Sequence, residues 1–165
     1  MPELPEVEIT ARLIGDAVAG VGVESVATPG LNTLRSFKPP VQDLEGHPLR
    51  GIRRRGKLFI VESGAGLSMI IHLMSSGRLQ LWEKRAAATD RRSRLLVRLV
   101  DGRELRLREF GTRQRAWAQV VPTDELDDDE TLNALGPEAW PDPPDLKPLL
   151  ETARPLYSEL RDQRV

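Results

Sequence analysis

The stretch Leu95-Leu96-Val97-Arg98-Leu99-Val100-Asp101-Gly102-Arg103-Glu104-Leu105-Arg106-Leu107-Arg108 decides the fold. An apolar run breaks at Asp-Gly, the dipeptide suited to a type I′ turn, and a second run then alternates strictly. In that second run Leu105 and Leu107 fall on one side and Arg106 and Arg108 on the other. The spacing predicts a hairpin whose second strand has one apolar and one cationic face. Working outward, Lys57-Leu58-Phe59-Ile60-Val61 and Leu67-Ser68-Met69-Ile70-Ile71 read as strands joined through Ser63-Gly64-Ala65-Gly66. Arg78-Leu79-Gln80-Leu81-Trp82 alternates with period two, and Trp117-Ala118-Gln119-Val120-Val121 reads as a last strand. Upstream, Val7, Ala11, Ile14 and Val18, with Leu13 and Ala17 beside them, form a stripe at helical spacing that begins at Pro5 and ends at Gly20 and Gly22. The expected architecture is mainly β with α: an N-terminal helix and a two-sheet β-sandwich or flattened barrel, followed by a short helical segment.

Composition narrows the chemistry. A chain of 165 residues can bury a core without a disulfide or metal. It has no cysteine, which excludes thiolate nucleophiles and cysteine-ligated zinc or iron–sulfur centres within it, and only two histidines, His47 and His72. Neither an apolar run of membrane-spanning length nor a basic-then-apolar leader is present, so no membrane span or signal peptide is expected. The formal net charge of −1 conceals a segregation: Arg35 to Arg115 holds 19 Lys and Arg against 8 Asp and Glu, whereas the flanks hold 5 basic and 17 acidic residues. Such blocks predict a basic surface inside a nearly neutral protein.

Toward the C-terminus, six of the seven residues from Asp124 to Glu130 are acidic, and five prolines lie between Pro137 and Pro148, as in an extended linker. Leu149-Leu150-Glu151-Thr152-Ala153 and Leu156-Tyr157-Ser158-Glu159-Leu160 read as short helices divided by Pro155. Their leucines have no core to join before Val165, so the expectation is a second domain that is cut or has decayed.

The other end carries the chemistry. Removal of Met1 exposes Pro2 as a secondary amine, and an N-terminal amine with a pKa near 8 is a usable nucleophile at neutral pH. Attack on an aldehyde-equivalent carbon such as C1′ of a deoxyribose gives an iminium, which acidifies C2′ and permits β-elimination of the 3′ phosphate. Glu3 is placed to move the proton. Glu6 and Glu8 suit the positive end of a helix dipole. Gly56 lets the chain turn ahead of Lys57, a good phosphate contact on a strand rim.

Met1-Pro2-Glu3-Leu4-Pro5-Glu6-Val7-Glu8 resembles the signature of the formamidopyrimidine-DNA glycosylase / endonuclease VIII family of base-excision repair enzymes. Arg54-Arg55-Gly56-Lys57 resembles the family's R-R-G-K segment, His72-Leu73-Met74-Ser75-Ser76-Gly77-Arg78-Leu79 its H-L-G-M-S-G-R-L loop, and Leu135-Gly136-Pro137-Glu138 the L-G-P-E that ends its first domain. The resemblance implies Pro2 as Schiff-base nucleophile, Glu3 as proton donor, Lys57 as a phosphate contact at the tip of a β-turn and Glu6 as support from the first helical turn. It further implies DNA contacts from His72, Met74, Arg94, Phe110, Arg113 and Arg115, with Met74 and Phe110 filling the gap left by an extruded base. The chain departs from the pattern in Met74, one position early, and in Arg108-Glu109-Phe110-Gly111, where the family has R-R-F-G. These departures leave oxidised purine and oxidised pyrimidine both open as lesions.

The implied organisation is a catalytic β-sandwich over 1–136, a Pro-rich linker over 137–148, and the start of a truncated helix–two-turn–helix domain over 149–165. The family's four-cysteine zinc finger is absent, so no cofactor is expected in the chain. The implied partner is damaged double-stranded DNA bound by a monomer, in a bacterial cytoplasm in association with the nucleoid. By itself such a domain is expected to be weak or inactive, because lost phosphate contacts cost affinity steeply. The competing readings are a non-catalytic β-barrel nucleic-acid-binding module and an enzyme on unrelated substrates that uses the terminal proline as a base.

Overall fold

The computed structural model describes residues 2–87, 90–151, 154–159 and 162. Its contacts divide the chain into two compact units, Met1–Asp124 and Glu125–Val165, so the division lies ahead of the position 136 expected from the L-G-P-E match.

The first unit opens with helix α1 (Leu4–Val18). Glu3 is its N-cap residue, and the Glu3 backbone N–H donates to the Glu6 carboxylate, which satisfies a donor that a helix start leaves open. The buried residues of α1 are Val7, Ala11, Ile14, Gly15 and Val18; Leu13 and Ala17, expected beside the stripe, face solvent, Leu13 at 68% exposure. The buried stripe is narrower than expected because the helix approaches its neighbour through a glycine, which needs no flanking apolar shoulder.

That neighbour is β2 (Leu49–Arg55). It belongs to an antiparallel sheet with β3 (Leu58–Ser63), β4 (Leu67–His72) and β8 (Trp117–Pro122), in the order β2-β3-β4-β8. The second antiparallel sheet runs β1-β6-β7-β5, from β1 (Val23–Ala27), β5 (Gly77–Trp82), β6 (Ser93–Leu99) and β7 (Glu104–Glu109). Alternate residues of the two sheets meet in one core: Phe59, Val61, Met69, Ile71, Ala118 and Val120 from one, Leu79, Leu95, Val97, Leu99, Leu105 and Leu107 from the other. The expected helix-led two-sheet sandwich is the architecture found.

Two local expectations change. Residues 99–104 do form the β6–β7 turn, but Asp101 does not take a positive φ, as a type I′ turn requires; only Gly102 does, at +92°. The Gly102 N–H donates to the Leu99 carbonyl at 3.1 Å, so Val100 and Asp101 are the central pair and the glycine follows them. This is the longer hairpin loop that ends in a left-handed glycine. The cationic face of β7 is likewise not an open one. Glu104, fully buried, accepts from Arg106 Nε at 2.6 Å and lies 3.2 Å from Arg98 Nε, while Arg106 is itself only 5% exposed and spans Trp82 at 4.5 Å. Arg108 pairs with Asp90 at 3.2 Å. Alternation correctly separated the two faces, but pairing with carboxylates turned the polar face inward.

In the second unit Asp129 caps α2 (Glu130–Asn133) by accepting from the Thr131 and Leu132 N–H groups at 2.9 and 3.0 Å. The acidic run, expected to be a loop, instead forms a 3-10 helix over Thr123–Asp128 and then the start of α2. Asp145 caps α3 (Leu146–Leu150), whose first turn contains Pro148, a position with no N–H to lose; the helix therefore begins inside the segment expected to be linker. After Pro155 comes α4 (Leu156–Glu159), where Glu159 pairs with Arg154 at 3.2 Å. Thr152, Ala153 and Leu160, parts of the two expected helices, lie outside the described residues.

A Cβ on Gly15 would stand 3.0 Å from both the backbone N and O of Ile52 in β2. Helix propensity alone predicts that Gly15→Ala stabilises by about 1 kcal/mol. Overpacking against a backbone that cannot rotate away costs about 1–3 kcal/mol and wins. Gly15→Ala is therefore expected to lower the melting temperature, and a raised one would show that α1 does not press on β2.

Candidate active site

The tight seam between α1 and β2 sets where the terminus lies. Glu8 on α1 accepts from Arg54 Nε on β2 at 2.6 Å, with the arginine side chain only 4% exposed, and Arg12 clasps the same carboxylate at 2.6 Å. Hydrogen bonding to Arg54 holds the Glu8 carboxyl below the usual range, so it stays charged. Arg55 pairs with Leu58, leaving Gly56 and Lys57 as a two-residue hairpin turn with Gly56 at φ +56°. Glycine at the first position is what a II′-type turn demands. The turn delivers Lys57 to the start of α1, where its Nζ lies 2.6 Å from Glu3 Oε2.

Pro2 is buried. It lines a cleft of about 110 Å³ with Glu6, Thr10, Leu73, Arg78 and Leu79. On its other side a shallower recess joins Pro2 to Val7, Lys57, His72, Leu73 and Met74. The structure thus gathers Pro2, Glu3, Glu6, Lys57, His72 and Met74 around one point, although the sequence separates them by up to 72 positions.

The charges of this cluster are set by its contacts. The Lys57 ammonium, hydrogen-bonded to Glu3, holds that exposed carboxyl below the ordinary glutamate range. Burial, then the charges of Arg35 and Lys57, push the His72 imidazole down, so it is neutral at neutral pH. Its Nδ1 accepts from the Met74 backbone N–H at 3.0 Å, which leaves Nε2 as the protonated donor. Met74 takes φ +52°, the one positive φ among described non-glycine residues, at the turn between β4 and β5. His72 stacks on Trp117 with ring centroids 5.8 Å apart.

The remaining candidates fall in two places. Phe110 (48% exposed), Arg113 and Arg115 stand on the open 110–116 loop, and the Phe110 N–H donates to the Ser76 carbonyl, which puts that loop against the Met74 turn. Arg94 is not on this surface. It is 7% exposed, and its guanidinium donates to Gln114 Oε1 at 2.6 Å and faces Glu109, so it supports the loop from beneath and presents no face to a phosphate. The strand position of Arg94 conceals this, because its partners, Glu109 at the end of β7 and Gln114 in the following loop, lie 15 and 20 residues away.

Sequence reading missed Arg35. Its guanidinium lies 4.0 Å over the Trp117 ring, beside His72, on a loop that pairs with β8 through Leu34 and Ala118. Nothing in the local sequence marks it; only the β8 pairing brings it to the cluster. Arg78, within a quoted motif but given no role, lines the cleft directly.

The class defined by these features is a helix-led β-sandwich that holds a buried penultimate proline among a lysine–glutamate pair and a neutral histidine. Residues 1–114 match the model of the formamidopyrimidine-DNA glycosylase N-terminal domain, and the chain belongs to this family. A formamidopyrimidine-DNA glycosylase of Gluconobacter oxydans is 34% identical across the whole chain and 61% of that protein; one of Pelobacter propionicus is 34% identical over 84% of the chain and 50% of that protein. The chain therefore spans about half to three-fifths of the length of these curated relatives. Among solved structures, an Lactococcus lactis family member in complex with abasic-site DNA shares the fold at a TM-score of 0.85, with 24% identity over 99% of this chain and 61% of that one. A complex of the LlFpg protein with THF-DNA and an inhibitor matches at a TM-score of 0.73, with 26% identity over 83% of this chain and 50% of that one. Among the described residues no helix is long and apolar enough to cross a membrane.

The Glu3–Lys57 pair makes a direct prediction. With its pKa lowered by Lys57, Glu3 loses its charge only below the pH at which an isolated glutamate does. Lys57→Met removes the partner, and the Glu3 carboxyl is expected to titrate at higher pH, back in the ordinary range, as read by NMR. Identical titration in the two proteins would show that the pair does not form in solution.

Proposed function

We propose that this chain is the N-terminal catalytic domain of a base-excision DNA glycosylase with abasic-site lyase activity. The observation that carries the reading is the burial of Pro2 between a cleft and a recess, with Lys57 lining the recess and paired with Glu3. A terminal secondary amine in that place has the right pKa, a base beside it and a cation for the adjoining phosphate.

In this mechanism Met1 is removed and the unprotonated Pro2 nitrogen attacks C1′ of the damaged nucleotide. The C1′–base bond breaks and the base leaves with the bonding pair and a proton. The sugar ring then opens: the C1′–O4′ bond breaks, O4′ takes up a proton, and Pro2 nitrogen and C1′ share an iminium. Loss of a proton from C2′ expels the 3′ phosphate with the C3′–O bonding pair. Glu3 is the nearest group to move these protons. In the DNA-free protein it is an anion, so it begins as an acceptor, takes up the proton that the Pro2 nitrogen releases on bonding to C1′, and passes it to the departing base or to O4′. Lys57, Arg35 and the Nε2–H of His72 form a strip for the phosphates; Met74 and Phe110 occupy the place of the extruded base; Arg113 and Arg115 add charge at the rim.

The reaction so written uses only groups of this chain. The bound partner is damaged double-stranded DNA, taken by a monomer in the bacterial nucleoid, and ring-opened purines are the first lesions to test because the relatives carry that name.

Borohydride reduction with abasic-site DNA is expected to trap a covalent adduct on the Met1-free chain and none on a chain that keeps Met1. Pro2→Gly is expected to cut lyase turnover by about tenfold or more. Binding without any adduct on the Met1-free chain would replace this reading with the non-catalytic module. For the phosphate strip, Lys57→Ala or Arg35→Ala is expected to weaken binding and lower the salt slope of affinity by about 1 each. An unchanged slope would remove that residue from the strip.

A further inference from the structure

Glu109 stands where the family pattern has the second arginine of R-R-F-G, and it is buried at the end of β7. Its Oε1 accepts from the Arg115 N–H at 2.7 Å and the Ala116 N–H at 3.1 Å, and takes the Ser76 hydroxyl at 3.4 Å. Arg94 Nε lies 3.8 Å from Oε2, while the same guanidinium holds Gln114 in the middle of the 110–116 loop. The first residue of that loop, Phe110, donates its N–H to the Ser76 carbonyl at 3.2 Å. Beyond it, a Cβ on Gly111 would come within 2.6 Å of Ser76 Oγ. One carboxylate therefore anchors the far end of the Phe110 loop and the turn that carries Met74.

We propose that Glu109 is a positioning residue that locks these two loops into a single arrangement beside the Pro2 cleft; the proposal rests on the DNA-lyase reading above. An ion pair at this depth gives little stability compared with apolar packing. What an apolar residue could not supply is the acceptor for two loop N–H groups that would otherwise be buried without a partner. The consequence reaches the two apolar side chains on the loops. Phe110 is half exposed, with the guanidinium groups of Arg92 and Arg108 each 5.1 Å from its ring, and Met74 borders the recess at Pro2. A side chain that fills a duplex after a base has swung out is effective only if it is already ordered, since ordering it on binding lowers affinity. A single strand has no stack to fill, so ordered loops confer no advantage on it.

The test compares borohydride trapping by the Met1-free full chain on an abasic site in duplex and on the same site in single-stranded DNA. Glu109→Ala is expected to slow trapping on duplex by about tenfold and to leave single-strand trapping within about twofold. Glu109→Gln, which keeps the Oε1 acceptor, is expected to restore the duplex rate to within about threefold of the parent. A parallel fall on both substrates, or an unchanged duplex rate, would overturn the proposal while the lyase reading stands. A parent chain that traps neither substrate overturns the lyase reading instead. The anchoring is then judged by hydrogen exchange at Arg115 and Ala116, which is expected to speed up in Glu109→Ala and stay slow in Glu109→Gln; equal exchange in both would overturn it.

Discussion

The close seat of α1 on β2 is the constraint on which the site depends. It needs Gly15, because any Cβ there meets the Ile52 backbone, and the Glu8–Arg54 pair ties the N-terminal part of the helix to β2. With both in place, the helix start and the Gly56–Lys57 turn share one corner of the sandwich. The Glu3–Lys57 contact, the burial of Pro2 and the nearness of His72 all follow from that corner.

A second theme is how the protein spends its arginines. The cationic block between Arg35 and Arg115 suggested a broad basic surface. Arg54, Arg94, Arg98, Arg106 and Arg108 instead face carboxylates within the fold: Glu8, Glu109, Glu104 and Asp90. Arg106 also lies over Trp82 and Arg108 over Phe110, which further fixes their planar groups, and Arg35 lies over Trp117. The cations directed at Pro2 are few: Arg78 lines the cleft, Lys57 lines the recess on the other side of Pro2, and Arg35 stands beside His72. Their field is local, and it falls beside Pro2.

Much of the fold was legible because it is written in period-two patterns. The strands around Phe59, Ile70, Leu79, Leu105 and Val120 were found from alternation or continuous apolar runs. β2 was not, because Arg50, Arg53, Arg54 and Arg55 outnumber Leu49 and Ile52, and its identity as a strand comes from pairing with β3. β1 is short and polar at Glu24 and Ser25, and it becomes a strand only by joining β6, some 70 residues on. The site divides in the same way. Pro2, Glu3 and Lys57 could be found because their chemistry is carried by local motifs. Arg35 and the loop-anchoring carboxylate of Glu109 could not, because their partners are remote in sequence, and Arg94 was read as a surface cation for the same reason.

The order of the strands also sets a timetable. Pro2 leaves the ribosome first, yet its cleft is walled by Leu79 and Arg78 of β5, and β5 pairs only with β7, which ends at Glu109. At about 5–20 residues per second, roughly 5–20 s of synthesis separate the two. Throughout that interval the wall of the Pro2 cleft that β5 supplies is not yet in place. On the proposed mechanism Pro2 acts only after Met1 is removed, and that removal is set against the folding that buries Pro2.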